Sequence, residues 1–207
     1  MKTDKNVNLK NDYSLRDRYK IKKSNLFWKF IDNLSFMNKK IGDIYEKAIS
    51  KEYEEEIKKF NLKNSKNILH IGCGAYPISA IIFSKIKDSK IVAIDKNKNS
   101  VKKAKKIIKE KNLKDKVIIK KGKGEKFSVK EFDTIIVSGC STPKTEILKN
   151  IFENAKKNTR IIVREQGEIS NIILEIAENY KDIKIQKKIK NNPFPTSSWE
   201  SFYILKK

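Results

Sequence analysis

Apolar positions change their period near residue 65. Upstream, Leu26, Phe27, Phe30, Ile31 and Leu34 recur at helical spacing, and Ile41, Ile44, Tyr45, Ala48 and Ile49 repeat the pattern. Ser24 and Asn25 suit the start of the first of two amphipathic helices within 25–60. Downstream, short β-branched runs alternate with helical stretches. NILHIG (67–72), KIVAID (90–95), KVIIKKG (116–122), FDTIIVSG (132–139) and RIIVRE (160–165) predict five strands. Helices are predicted between and after them over 77–87, 97–111, 144–157 and 168–180. IKIQKKI (183–189) and SFYILKK (201–207) close the chain as strands. Too few residues separate these two for a crossover helix, so they pair antiparallel.

Strands alternating with helices imply an α/β fold of parallel βαβ units with right-handed crossovers. The 207 residues suffice for one such domain with an appendage. The expected division is a polar, lysine-rich, flexible basic arm (1–24), an N-terminal helical extension (25–64) and the α/β domain (65–207). No apolar run reaches the ~20 residues of a membrane helix, and the first residues have no signal-peptide core. A cytoplasmic protein without a membrane partner is expected. Cys73 and Cys140 lie far apart without a CxxC partner, which argues against a disulfide framework or a metal site.

Charge changes the picture less than its size suggests. A net charge of +23 admits a nucleic-acid partner. Yet arginine, the residue best suited to bidentate phosphate and base contacts, occurs only at Arg16, Arg18, Arg160 and Arg164. The lysines spread over every segment instead of forming one block. A small-molecule substrate is therefore favoured over nucleic acid, with oligomeric state, a homodimer included, left open.

The chemistry concentrates where the first strand breaks into Gly72-Cys73-Gly74-Ala75-Tyr76-Pro77. Glycine at 72 and 74 permits unusual dihedrals and close approach of a ligand. The helix start beyond offers unpaired N–H groups suited to a carboxylate or phosphate. Asp95 closes the second strand, where an acid can accept both hydroxyls of a ribose. A dinucleotide loop wants a third glycine at the position of Pro77, and no G-x-x-x-x-G-K-[ST] is present. S-adenosylmethionine, which has no pyrophosphate, fits the outline better.

On these residues, 67–207 resembles the class I S-adenosylmethionine-dependent methyltransferases: ILHIGCG as first motif, VAID as acidic second, EFDTIIVSG as fourth strand, and the closing antiparallel pair. The resemblance implies a Rossmann-like, mostly parallel seven-stranded sheet with its last strand antiparallel. It implies that Gly72, Cys73 and Gly74 line the methionine portion of the cofactor and Asp95 the ribose, with Ala75, Pro77 and Lys96 as further cofactor-binding candidates. The segment 122–125, with Gly122 and Glu125, would pass the adenine, and Ser138 and Gly139 would lie under the sulfonium. Lys123 stands where many members have an acid, so Glu125 is the substitute candidate. The loop 72–81 and the stretch TRIIVREQGEISNIIL (159–174) are also similar to nicotianamine synthases, which transfer the aminocarboxypropyl arm of the same cofactor. The short amino-terminal part departs from a complete member of that group.

Tyr76, Cys140, Arg164, Glu165 and Trp199 are the substrate candidates. Each has a plainer reading: aromatic packing for Tyr76 and Trp199, a small buried thiol for Cys140, a solvated charge cluster around Arg164 and Glu165. His70 is read as a core side chain, not a base. Asn192-Pro193-Phe194-Pro195 resembles the Asn/Asp-Pro-Pro-aromatic motif of amino-group methyltransferases but does not follow the fourth strand, so 190–199 is read as a substrate-side loop. Substrate groups are expected from that loop, the helices of 25–60, the loop 138–145 and residues 164–168. The expected activity is methyl transfer to a small molecule. Aminocarboxypropyl transfer, RNA methylation and a non-catalytic cofactor-binding subunit are the alternatives, and no catalytic residue is assigned.

Overall fold

In a computed structural model describing residues 15–193 and 198–207, two long helices, α1 (Leu15–Met37) and α2 (Lys39–Lys59), precede the sheet. Asn38 turns the chain between them and caps α2, its side chain accepting from the amides of Lys40 and Ile41. Then follow β1 (Asn67–Ile71), α3 (Ile78–Phe83), β2 (Lys90–Asp95), α4 (Lys98–Glu110), β3 (Val117–Lys121) and β4 (Thr134–Val137). The chain closes with α5 (Lys144–Asn154), β5 (Arg160–Glu165), α6 (Asn171–Glu178), β6 (Ile183–Asn191) and β7 (Trp199–Lys206).

The seven strands run in the order β3-β2-β1-β4-β5-β7-β6. Strands β1 to β5 are parallel, and β7 lies antiparallel between β5 and β6. The expected Rossmann-like sheet is thus present. Alternation along each strand splits the core in two. On one face Ile68, Ile91, Ala93, Ile136 and Ile162 pack against α2, α3 and α4; on the other, Leu69, Ile71, Ile135 and Val163 pack against α5 and α6. The helix expected over 77–87 stops at Phe83, where the hydroxyls of Ser84 and Ser89 donate to the carbonyls of Ile81, Phe83 and Ile86. The helix expected from 168 opens as a 3₁₀ turn, Gly167–Ile169, before α6.

The amino-terminal helices differ most from expectation. Helix α1 begins at Leu15, so the part of the expected arm within 15–24 is helical, while 1–14 lie outside the described residues. Residues 194–197 of the expected substrate-side loop also lie outside them. The inward face of α1 is rotated from the apolar stripe in the sequence. Leu26, Phe27 and Phe30 are exposed, whereas Trp28, Ile31 and Phe36 pack on the core. The stripe that meets the sheet crest also holds Asp32 and the buried Ser35, so hydrophobicity alone finds Ile31 but misplaces Leu26, Phe27 and Phe30. No helix among the described residues is long and apolar enough to cross a membrane.

Candidate functional site

The order in which successive strands add to the sheet reverses between the parallel neighbours β1 and β4, and open α/β sheets bind ligands beyond the carboxyl ends of strands at such a switch. The turn after β1 is pinned there by the amides of Gly72 and Cys73, which both donate to the Ile94 carbonyl at 2.9 and 3.0 Å. Gly72 and Gly74 have φ of 81° and 69°, the left-handed region that favours glycine. A Cβ on Gly72 would strike the Ser141 hydroxyl, and one on Gly74 would strike the carboxylate of Asp32. Both glycines are thus required by the protein's own side chains.

Consecutive amides of this loop meet different carboxylates. Gly74 N–H donates to Asp95 Oδ2 at 3.0 Å, and Ala75 N–H donates to Asp32 Oδ2 at 3.0 Å. Asp95 Oδ1 also accepts from the amide of Asn97 at 2.8 Å. Burial pushes the Asp32 carboxyl up to about 7; hydrogen bonding from the Ala75 and Tyr76 backbone opposes the rise, and nearby Asp95 adds to it. The donors that the sequence offered to a ligand carboxylate are already taken by aspartates.

Beside the loop, His70 Nε2 lies 2.8 Å from the Ser138 hydroxyl, while its Nδ1 is buried without a partner. Burial, with Arg164 nearby, holds the His70 pKa down to about 3, so the imidazole is neutral at physiological pH. Ser141 Oγ donates to the Ile71 carbonyl at 3.0 Å, and Lys96 Nζ bridges to Thr142 through its carbonyl and hydroxyl at 2.8 and 3.1 Å. Buried Lys144 binds the β4 crest to β5: its Nζ donates to the carbonyls of Ser138, Gly139 and Arg164 and pairs with Glu165 at 3.3 Å. Burial pushes the Cys140 thiol up to about 12 and raises that of Cys73 well above its ordinary value. Neither is a ready nucleophile.

Helix α2 supplies the counter-ion for β5. The Arg164 guanidinium donates to Glu56 at 2.6, 3.0 and 3.2 Å and to Ser79 Oγ at 2.7 Å, and it stacks 3.6 Å from the Tyr53 ring centroid. Ser201 Oγ donates to the same Glu56. Burial works against the guanidinium charge, but Glu56 outweighs it and the Arg164 pKa is raised. Arg164 therefore pairs with α2, and Glu165 pairs with Lys144, instead of forming the solvated cluster read from the sequence.

These elements enclose one cavity of about 500 Å³, within the ~300–1,000 Å³ common for small-molecule sites. Of the expected cofactor residues, Gly72, Cys73, Gly74, Ala75, Asp95, Lys96, Gly122, Glu125, Ser138 and Gly139 line it. Pro77 is not among the lining residues; it precedes α3 as its cap, with its carbonyl accepting from the amide of Ile81. Tyr76, Cys140, Arg164, Glu165 and Trp199 line the cavity as well. Among the described residues, no group of three or more His, Cys, Asp or Glu side chains is placed to hold a metal.

Substrate groups were expected from the helices of 25–60, but the sequence singled out none of the side chains that form the roof. Trp28 and Asp32 from α1 and Tyr45 and Tyr53 from α2 line the cavity too. Their rings form a continuous wall: Trp28 lies 6.3 Å from Tyr45 and 6.5 Å from Trp199, Tyr53 5.8 Å from Trp199, and Tyr45 6.1 Å from Tyr76. Burial raises the Tyr45 and Tyr53 phenols above their ordinary pKa. One signal for Asp32 was available. It follows Trp28 by four residues, so an acid shares a helix face with a large aromatic.

A family model described as Methyltransferase domain matches residues 62–203. No curated protein matches the sequence. The chain is similar to MtNAS, a nicotianamine synthase solved in complex with MTA and tNA, at 17% identity and a TM-score of 0.66; the match covers 86% of this chain and 69% of that chain. A point mutant of MtNAS in complex with S-adenosylmethionine matches at 16% identity and 0.61, over 85% of this chain and 70% of that chain. The mitomycin 7-O-methyltransferase MmcR matches at 12% identity and 0.57, over 86% and 60%. These likenesses concern the fold.

Proposed function

The chain belongs to the methyltransferase-domain family, and on that premise we propose that it binds S-adenosylmethionine at the β1–β4 switch and transfers a group from it to a small-molecule acceptor. The observation that carries this reading is the single cavity shared by the glycine loop and the aromatic roof. One end offers the loop of 72–75, Asp95 and the 122–125 turn, which suit the methionine, ribose and adenine parts of the cofactor in turn. The other end, beneath Trp28, Tyr45 and Tyr53, suits an acceptor small enough to lie under α1 and α2. A strand of RNA has less room there, which favours the small molecule despite the net charge of +23.

Bound S-adenosylmethionine supplies a carbon already activated for displacement by the positive sulfur. The chain's residues then have the task of alignment and water exclusion. Lys144, satisfied by three carbonyls and Glu165, holds the β4 and β5 crests in fixed relation. The Arg164–Glu56 pair fixes α2 over them. His70, neutral and bonded to Ser138, keeps that hydroxyl oriented toward the cavity wall.

Methyl transfer leaves S-adenosylhomocysteine, whereas transfer of the aminocarboxypropyl arm leaves methylthioadenosine. The second chemistry is supported by the match to MtNAS, whose TM-score of 0.66 exceeds the 0.57 of the O-methyltransferase MmcR over the same share of this chain. Thermal shift with S-adenosylmethionine, S-adenosylhomocysteine and NAD tests the ligand, with ~2.7 kcal/mol of stabilisation expected at a hundredfold excess over the dissociation constant. Greater stabilisation by NAD would sink the reading. Chromatography of the spent nucleoside, incubated with pools of small acceptors, separates the two transfers.

A further inference from the structure

We propose that Asp32 of α1 is the receptor for the α-ammonium group of S-adenosylmethionine. This rests on the cofactor reading above and adds to it a residue from outside the Rossmann-like domain.

Asp32 is a carboxylate with backbone donors but no side-chain partner among the described residues. Asp32 lies against the Cα of Gly74 and accepts from the amide of Ala75, at the stretch of loop assigned to the methionine portion of the cofactor. It accepts from the backbone of Ala75, at Oδ2, and of Tyr76, but no described side chain donates to it, and the residue lines the cavity. None of the described lysines or arginines pairs with it, although cations line the same cavity. Lys103 Nζ goes instead to Asn33 Oδ1 at 2.5 Å, Lys96 goes to Thr142, and Arg164 goes to Glu56.

Such an arrangement is costly to the free protein. Burial lifts the Asp32 carboxyl toward neutrality, and the nearby Asp95 adds to the effect. A cation placed between Asp32 and the loop would offset that cost. The same geometry orients the ligand. With the amides of Gly74 and Ala75 taken by Asp95 and Asp32, the loop presents negative charge and not free donors. It therefore suits the ammonium of an amino acid and disfavours its carboxylate. Among cavity ligands, the assignment selects those with an amino-acid arm over nucleosides without one.

The test uses the full chain and three probes: S-adenosylhomocysteine, its analogue lacking the α-amino group, and methylthioadenosine, which lacks the whole arm. Calorimetric titration is run on wild type and on Asp32→Asn, which keeps an acceptor for the Ala75 amide. The substitution is expected to weaken S-adenosylhomocysteine by roughly tenfold to a hundredfold, as for a lost charge-assisted hydrogen bond. Binding of the des-amino analogue and of methylthioadenosine is expected to be unchanged. In wild type alone, removing the amino group from the ligand should cost a similar factor, a comparison that needs no variant. Equal loss for all three probes, or none for S-adenosylhomocysteine, overturns the assignment. Wild-type protein that binds methylthioadenosine but shows no preference for the amino group overturns it while leaving the cofactor site intact. Binding of none of the three overturns the cofactor reading itself.

Discussion

The cavity has two walls of different origin. The sheet wall is built from short-range sequence: β1, the glycine turn and Asp95 lie within thirty residues of one another, and Asp95 takes the Gly74 amide directly. The roof reaches its partners across long separations, with Asp32 meeting Ala75, Glu56 meeting Arg164 and Trp28 meeting Trp199. Both walls present a carboxylate to the same loop, one amide apart. The sheet-side acid sits at a strand end, where the fold itself places it. The roof-side acid is in place only while α1 is docked. The glycine loop and the roof are therefore energetically coupled through Asp32, and the charge on the roof side is the adjustable one.

The largest effect is expected from undocking the roof. Glu56→Ala leaves Arg164 buried without its counter-ion, which should cost ~3–5 kcal/mol. Urea denaturation measures it, and the Glu56→Gln variant should lose less, because Gln still accepts from the guanidinium. A loss below about 1 kcal/mol for Glu56→Ala would show that α2 is held by its apolar face alone.

Next is the pH dependence of Asp32. Its native pKa of about 7 exceeds the ordinary value of 3.8, so the folded chain retains a proton that the unfolded chain has lost between those limits. Stability from this group is therefore full below pH 4 and falls as pH rises toward and past 7. The other titratable groups facing Asp32 are Asp95 from β2, Tyr45 from α2, Cys73 in the glycine turn and Cys140 after β4; both thiols and the phenol have raised pKa values and stay neutral in this window. Asp32→Asn cannot ionise. Relative to wild type it should gain stability at pH 8, by at most ~4 kcal/mol from about three pKa units, and gain nothing at pH 4. Melting temperatures across that range decide it, and a constant difference would show that Asp32 ionises freely.

On the sheet wall, Asp95→Ala should weaken cofactor binding by ~1.5–3 kcal/mol, and Cys73→Ala by much less, because the acid offers charge-assisted hydrogen bonds and the thiol mostly volume. Asp95→Ala also frees the Gly74 amide, so methylthioadenosine affinity should fall alongside that of S-adenosylhomocysteine, unlike the pattern expected for Asp32→Asn. Equal affinities for wild type and Asp95→Ala would place the ribose elsewhere.

The smallest effect is a negative one. With the thiol pKa of Cys140 pushed up to about 12 and that of Cys73 raised well above normal, folded protein should take up almost no iodoacetamide at pH 8. Mass spectrometry before and after unfolding reads this. Rapid labelling of Cys140 in the folded chain would reopen it as a nucleophile.

The alternation of β-branched runs with helical stretches was sufficient to determine the strands and their order of pairing at the chain's end. Strand periodicity, glycine turns and crossover length are local or nearly local constraints. For the same reason the glycine loop and Asp95 were legible, since a strand–turn–helix followed by an acid at the next strand end places them together in any sheet of this kind. Tertiary structure alone decided which side chains of the 25–60 helices form the roof. The sequence showed an apolar stripe on α1 at Leu26, Phe27 and Phe30, but the docked helix turns that side to solvent and presents Trp28 and Asp32. It also decided that Arg164 answers to Glu56 and Glu165 to Lys144, where adjacency in sequence suggested a surface cluster. Burying a charge is costly unless a partner arrives from elsewhere in the fold, and that partner's position depends on packing across more than a hundred residues, which no local pattern encodes.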